Sequence, residues 1–375
     1  MTDESFSIGP GAICEASTEG GPRFILSASE WITLQSYIID AMALPTDMDA
    51  FRMTLGQGAP SDLSDFNQLV SAYKNIHDHA DTWQNDTFPD SVSLASDIFN
   101  YSLKAPTYYD PLLPLAKELR IDPDDEDARD ELMAILASLS KSATKYHDRA
   151  AAVAEKIKQF ANDTQADKVT LCGTDGKSGL YAYYEDKYGS ESEEIQNLTK
   201  QIESERIVLD AANKEYDHDV VVAATTPTYV WVVPFGTIAA SVVAGVYGKR
   251  ATDALKRARD AQNQINELSA ELASSANMLV SINMAEAGIR NILEPLEQAL
   301  PIIQKIQGVW GSIRDDLNQI ITTITDDIGE AEPIIMKLGV KTAVAEWKAV
   351  GELADAYRMN AYVTVNQEEP ASMGV

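Results

Sequence analysis

VVVAATTPTYVWVVPFGTIAASVVAGVYG, Val220 to Gly248, runs for 29 residues without an Asp, Glu, Lys, Arg or His. The chain around it has 375 residues and a formal charge of −28, so so long a gap in the charge pattern needs a physical cause. These residues enter an apolar place, because charge is costly only there. Acidic YDHD, Tyr216 to Asp219, lies just before the stretch, and the basic Lys249, Arg250, Lys256, Arg257 and Arg259 lie just after it. The apolar place is either the protein's own core or a lipid bilayer.

Both flanks read as helices. Ser190 with Glu193 makes a capping box, and Ile195, Leu198, Ile202, Leu209, Ala212 and Tyr216 follow at alternating spacings of three and four, broken at Glu205. After the stretch a helix is expected from about Thr237, carrying Ile265, Leu268, Leu272, Leu279 and Ile282. At 1.5 Å per residue these rods reach about 45 Å and about 85 Å. A segment joining two such rods lies at their far end.

Three readings of the stretch stay open. It can be a buried core hairpin. It can be a constitutive anchor, since Tyr229 to Tyr247 approaches the roughly 20 residues that span hydrocarbon; Pro234, Phe235 and Gly236 break it, however. It can be a hairpin that enters membranes conditionally, with Pro227 ending the first helix and Pro234-Phe235-Gly236 turning the chain. Each arm is then roughly 15–20 Å long if helical, enough for one leaflet. In that reading Val220, Val221, Val222, Tyr229, Val230, Trp231, Val232, Val233, Phe235, Ile238, Val242, Val243, Val246 and Tyr247 bury apolar area. Lys249 and Arg250 meet the headgroups.

Elsewhere helix signals dominate. Ser27 and Glu30 open a helix that Pro45 stops, and Pro60-Ser61-Asp62 opens a second that Pro89 interrupts. Pro106, Pro111, Pro114 and Pro123 make residues 105–123 a bent connector with a short helix, LPLAKELR, Leu113 to Arg120. Asp122 as N-cap and Pro123 at the first helical position then start a long helix reaching about Asn162. Residues 170–189, rich in Gly and Tyr, read as a loop or a small β-hairpin. A wide apolar seam follows at Ile289, Leu293, Leu296, Leu300, Ile303, Trp310, Leu317, Ile321, Ile324 and Ile328, with Ile292, Ile306, Ile313 and Ile320 beside it. Pro295 and Pro301 should kink or split that rod, Gly329 and Pro333 should end it, and one more helix should pack back.

The expected fold is all-α: an elongated multi-helix bundle with two long helices projecting to an apolar hairpin tip. Its parts are a flexible segment 1–24, a bundle of 25–189 and 290–365, a neck and head of 190–289 with the tip at 220–248, and a disordered tail 366–375.

No motif points to catalysis or a cofactor. Gly173-Thr174-Asp175-Gly176-Lys177-Ser178 imitates a phosphate loop, but Leu171 stands where its first glycine belongs. His77 and His79 point about 200° apart on a helix and do not converge on a metal. The run from Asp122 to Asp127 lacks the glycine and glutamate of an EF-hand, Met133 standing at the twelfth position. His147 stands alone, as does His218, which is a candidate acid sensor beside the tip. Cys14 and Cys172 have no redox or metal context, and whether they pair stays open. The acidic balance excludes nucleic acid as a partner. The polar, acidic start carries no secretory signal peptide, so a protein acting outside the cell leaves by another route.

Over nearly all of residues 25–365 this arrangement resembles the α-helical pore-forming toxins related to cytolysin A. The residues carrying the resemblance are the capped rod from Ser190, the tip Val220 to Gly248 and the return rod KRATDALKRARDAQNQINELSAEL. The likeness is closest to the A component of the binary Xax/Yax cytotoxins, with Cry6-type proteins and Hbl/Nhe components as relatives. It implies a secreted soluble form that binds target-cell membrane lipid by its tip and oligomerises into a pore, with a second toxin subunit. The alternative is a helical scaffold whose tip docks a partner protein.

Overall fold

A computed structural model describes residues 6–11, 24–26, 41–55, 59–175, 178–188 and 270–361, with isolated positions in 34–38, 193–208 and 257–268. Its helices are α1 (Met48–Leu55), α2 (Asn67–Thr82), α3 (Phe88–Tyr109), α4 (Leu112–Ile121), α5 (Glu126–Cys172), α6 (Leu180–Tyr188), α7 (Ala270–Asp326), α8 (Ala331–Lys337) and α9 (Val340–Ala361). Among the described residues there is no strand, and the all-α expectation holds. The chain divides into two compact units. One comprises Met1–Ser27, Pro89–Ile157 and Gln298–Ala361; the other comprises Ala28–Phe88, Lys158–Glu297 and Tyr362–Val375.

The first unit is built on the apolar seam. Ile303, Ile306, Trp310, Ile313, Leu317, Ile320 and Ile324 of α7 alternate by three and four, and all are buried. Ile321 and Ile328 are only partly covered. Other apolar rows are buried in the same unit: Leu132, Leu136, Leu139 and Ala143 on α5, Leu94, Ile98 and Tyr101 on α3, Trp347, Val350 and Ala354 on α9. At its centre Trp310 and Trp347 stack with ring centroids 4.7 Å apart, and Tyr101 stands edge-on to both at 4.9 and 4.8 Å. Hydrogen bonds then tie in the amino-terminal segment. The Tyr109 hydroxyl and Trp347 Nε1 both donate to the Ile8 carbonyl, at 2.8 and 2.9 Å, and Ser7 N donates to Asp316 at 2.9 Å. Residues 6–11, within the stretch expected to be flexible, are therefore seated on the bundle. On the flank Arg149 pairs with Asp97, and Lys156 meets Asp90 at 2.7 Å.

The second unit has its own aromatic cluster. Phe66 lies 5.2 Å from Phe51 and stacks on Tyr184 at 5.5 Å, while Trp83 meets Phe160 at 4.6 Å. Tyr184 is fully buried, and its hydroxyl donates to the Asp65 carbonyl at 2.9 Å.

Several expectations are corrected. Residues 180–188 form α6 rather than a loop or hairpin, because Tyr184 docks in the core. Helix α5 runs ten residues past Asn162 and closes at Gly173, whose φ of +78° suits a residue without Cβ. Its cap is Asp125, which accepts from Ala128 N at 3.0 Å; Asp122 instead closes α4 in an extended conformation. The short helix expected in the proline-rich connector is α4, and the connector is more helical than expected on either side of the break at Asp110 and Pro111. Pro106 lies inside α3, Pro111 just before α4, and Pro114 in the first turn of α4, where no helical bond is lost. Near Pro89 the chain does not stop: a π-helical turn, Trp83–Thr87, carries α2 into α3 and absorbs the missing donor. Helix α7 runs unbroken through Pro295 and Pro301. Each proline costs about 3 kcal/mol, and the buried seam after Pro301, at about 1.5–3 kcal/mol per side chain, offsets it. That helix ends at Asp326, and Pro333 lies within α8. The returning helix is two, parted at Gly339 with φ +62°.

Candidate functional site

The sixteen residues assigned to the tip, from Val220 to Arg250, all lie outside the described residues. What the structure shows is the chain leading to and from them. On the approach, Glu193, Gln196, Asn197, Leu198, Lys200, Gln201, Ser204 and Val208 are helical. Leu198, on the expected seam, is buried, while Glu193, Gln196, Asn197, Lys200 and Ser204 are exposed. On the return, Arg257, Asp260, Ala261, Asn263, Gln264 and Glu267 are helical; Ala261 is buried and the others are exposed. The chain bends at Leu268, and α7 begins at Ala270. One apolar residue inside and polar residues outside is the pattern of a helix with a single covered face. No helix among the described residues is long and apolar enough to cross a membrane.

The remaining sequence candidates take structural places. His79 Nδ1 pairs with Asp167 Oδ2 at 2.8 Å, linking α2 to α5, whereas His77 meets its neighbour Asp78 at 3.4 Å. The two imidazoles thus go to different partners. Among the described residues no group of three or more His, Cys, Asp or Glu is placed to hold a metal. His147 sits beside Asp148 at 3.0 Å. Cys172 is buried at the end of α5, while Cys14 and His218 lie outside the described residues.

Two features escaped the sequence reading. Asp167 is buried beside Tyr37, whose hydroxyl has no hydrogen-bond partner, as does that of Thr164. Burial raises the pKa of Asp167, with His79 opposing, and the Asp167 hydrogen bond raises that of His79 against its own desolvation. The second feature is a cleft of about 1080 Å³ between α2, the end of α5 and the start of α6. Neither leaves a short-range sequence signal: His79 and Asp167 are 88 residues apart.

Comparison with known proteins places this geometry. Residues 33–208 match the family model of the Bacillus haemolytic enterotoxin (HBL). The pesticidal crystal protein Cry6Ba of Bacillus thuringiensis is 26% identical over 363 residues, 90% of this chain and 89% of that one. Among solved structures, the HblL1 toxin component of Bacillus cereus shares the fold with a TM-score of 0.55 at 18% identity, over 97% of this chain and 100% of that one. Soluble SmhA of the tripartite α-pore-forming toxin of Serratia marcescens gives 0.54 at 12% identity, over 97% and 99%. The resemblance to the α-helical pore-forming toxins therefore holds, in sequence through the enterotoxin model and Cry6Ba and in fold through HblL1 and SmhA. In sequence the likeness is to a haemolytic enterotoxin and to a pesticidal crystal protein. These likenesses do not single out the A component of the Xax/Yax cytotoxins.

Proposed function

We propose that this chain is a pore-forming cytotoxin component that binds target membranes through residues 220–248 and assembles there into an oligomeric pore with a second subunit. One observation carries the reading: an uncharged run of 29 residues stands between two flanks whose described residues are helical. The similarity to Cry6Ba and the enterotoxin model supports it. Residues 190–289 act as neck and head, and the apolar side chains from Val220 to Val246 enter the bilayer. Trp231 and Tyr229 sit at interfacial depth, with Lys249 and Arg250 at the phosphates. Burying about 400 Å² of apolar surface at roughly 25 cal/mol per Å² gives about 10 kcal/mol before ordering costs, enough for firm attachment. Arms that reach one leaflet leave the full crossing to a partner subunit or to refolding of the tip into one helix. SmhA belongs to a three-part toxin, which supports a shared assembly.

The test replaces 220–248 by a Gly-Ser loop and follows liposome flotation and lysis. The expected variant is folded and binds no liposomes. A variant that still floats and lyses overturns the assignment.

A further inference from the structure

The cleft between α2, the end of α5 and the start of α6 belongs to neither the tip nor the helical core. Its α2 wall is a row of uncharged polar side chains one helical turn apart, Asn67, Ser71 and Asn75, with Gln68 alongside. All four are exposed, and none makes a side-chain hydrogen bond with a described residue. Ala72, Val169 and Leu180 add apolar surface among these amides.

Across from that wall stands Tyr183, 48% exposed. It is held in one orientation. Its hydroxyl donates to Asp65 Oδ1 at 2.9 Å, and the buried Tyr184 ring stands perpendicular to it at 5.0 Å. Lys187 Nζ lies 5.6 Å from its ring centroid. An aromatic ring fixed at a cleft before any ligand arrives loses little entropy when one does.

The charge pattern narrows the ligand. Asp65 is the one ionisable acid or base among the described lining residues apart from Tyr183, and Lys187 Nζ meets its Oδ2 at 2.7 Å. Among the described residues no uncompensated cation is left there for a phosphate or carboxylate, and no uncompensated anion for a cation. Unengaged amides, an apolar floor and a fixed aromatic ring match a molecule with one apolar face and a rim of hydroxyls. We infer that this cleft binds a neutral carbohydrate, a pyranose laid against Tyr183 with its hydroxyls on Asn67, Gln68, Ser71 and Asn75. The volume, about 1080 Å³, accommodates an oligosaccharide, at the upper end of the roughly 300–1,000 Å³ usual for small-ligand sites. On the pore-forming reading, a cell-surface glycan held here brings the chain to its target before the tip inserts.

The test is saturation-transfer NMR on the full chain with lactose and with N,N′-diacetylchitobiose, each at about 10 mM, where millimolar binding is visible. Contacts made to ring faces and adjacent hydroxyls are common to pyranoses, so at least one of the two sugars is expected to saturate. The double variant Gln68→Ala, Asn75→Ala removes exposed side chains without hydrogen bonds, so its fold is retained. It should lose the signal at least about fivefold, as should Tyr183→Ala. Saturation of neither sugar, or an unchanged signal in the double variant, overturns the site. Sugar binding by a chain that never lyses cells counts against the pore-forming reading alone, and lysis without sugar binding counts against this site alone.

Discussion

The two units differ in how completely they satisfy their buried polar groups. In the first, the Tyr101 and Tyr109 hydroxyls bond each other at 2.7 Å, and the Ile8 carbonyl collects Tyr109 and Trp347. Among the described residues of that unit, only Trp310 Nε1 is left buried without a partner. In the second, the buried Asp167 pairs with the part-exposed His79, next to the unpartnered hydroxyls of Tyr37 and Thr164. Hydrogen-bonded hydroxyls and indoles do not titrate near neutral pH, whereas the part-buried pair of the second unit makes its stability depend on protonation. The first unit also holds a buried carboxylate, Glu332, paired with the exposed Arg120. The second unit also contains the cleft and the chain leading to the tip. On the proposed function, the unit that leads to the membrane-binding stretch is thus the one whose described interior is less completely satisfied.

The largest effect should come from the first unit. Trp347→Ala removes a stacked indole and the hydrogen bond to Ile8, and should cost about 3–5 kcal/mol in denaturant unfolding. A loss below about 1 kcal/mol would mean the aromatic cluster is not the keystone described. Next, Asp167→Ala leaves His79 and Tyr37 without their neighbour and should cost about 1–3 kcal/mol. Asp167→Asn should cost less, because it keeps an acceptor for His79.

The pH response separates the units further. The folded state holds the proton of His79 more tightly than the unfolded chain does, so that stabilisation is complete below the ordinary histidine value. It is lost as pH rises through the raised one. Asp167, also raised, acts in the same direction at lower pH. Melting temperature should therefore fall as pH rises above the ordinary histidine value, and the part due to the pair should vanish in His79→Gln. An identical slope in that variant would remove the pair from the account. The smallest effect is local: Asp125→Ala should cost about 1 kcal/mol as loss of the α5 cap, and Asp122→Ala clearly less.

Much of this was legible in the sequence, and the reasons differ from element to element. The seam from Ile303 to Ile324 was readable because a helix buried along one face must repeat its apolar residues every three and four positions. Capping was harder: four acidic residues follow one another from Asp124 to Asp127, and only the hydrogen bond to Ala128 N distinguishes Asp125. Helix α6 was missed because the glycines around it and its own tyrosines signal turns locally, whereas Tyr184 is helical for the sake of a distant core. Prolines misled for the same reason, since packing outweighed the bond each removes. The cleft could not be read at all, because its walls come from three separate stretches of chain.

The central claim concerns residues 220–248, and liposome flotation with dye release tests it most directly. Wild-type protein is set beside the Gly-Ser replacement of that stretch, each alone and with the second subunit. The account predicts that wild type floats with liposomes and that the replacement does not, with dye release confined to samples containing the wild-type stretch. Flotation and release that survive the replacement would contradict it, and so would a wild-type protein that binds no membrane.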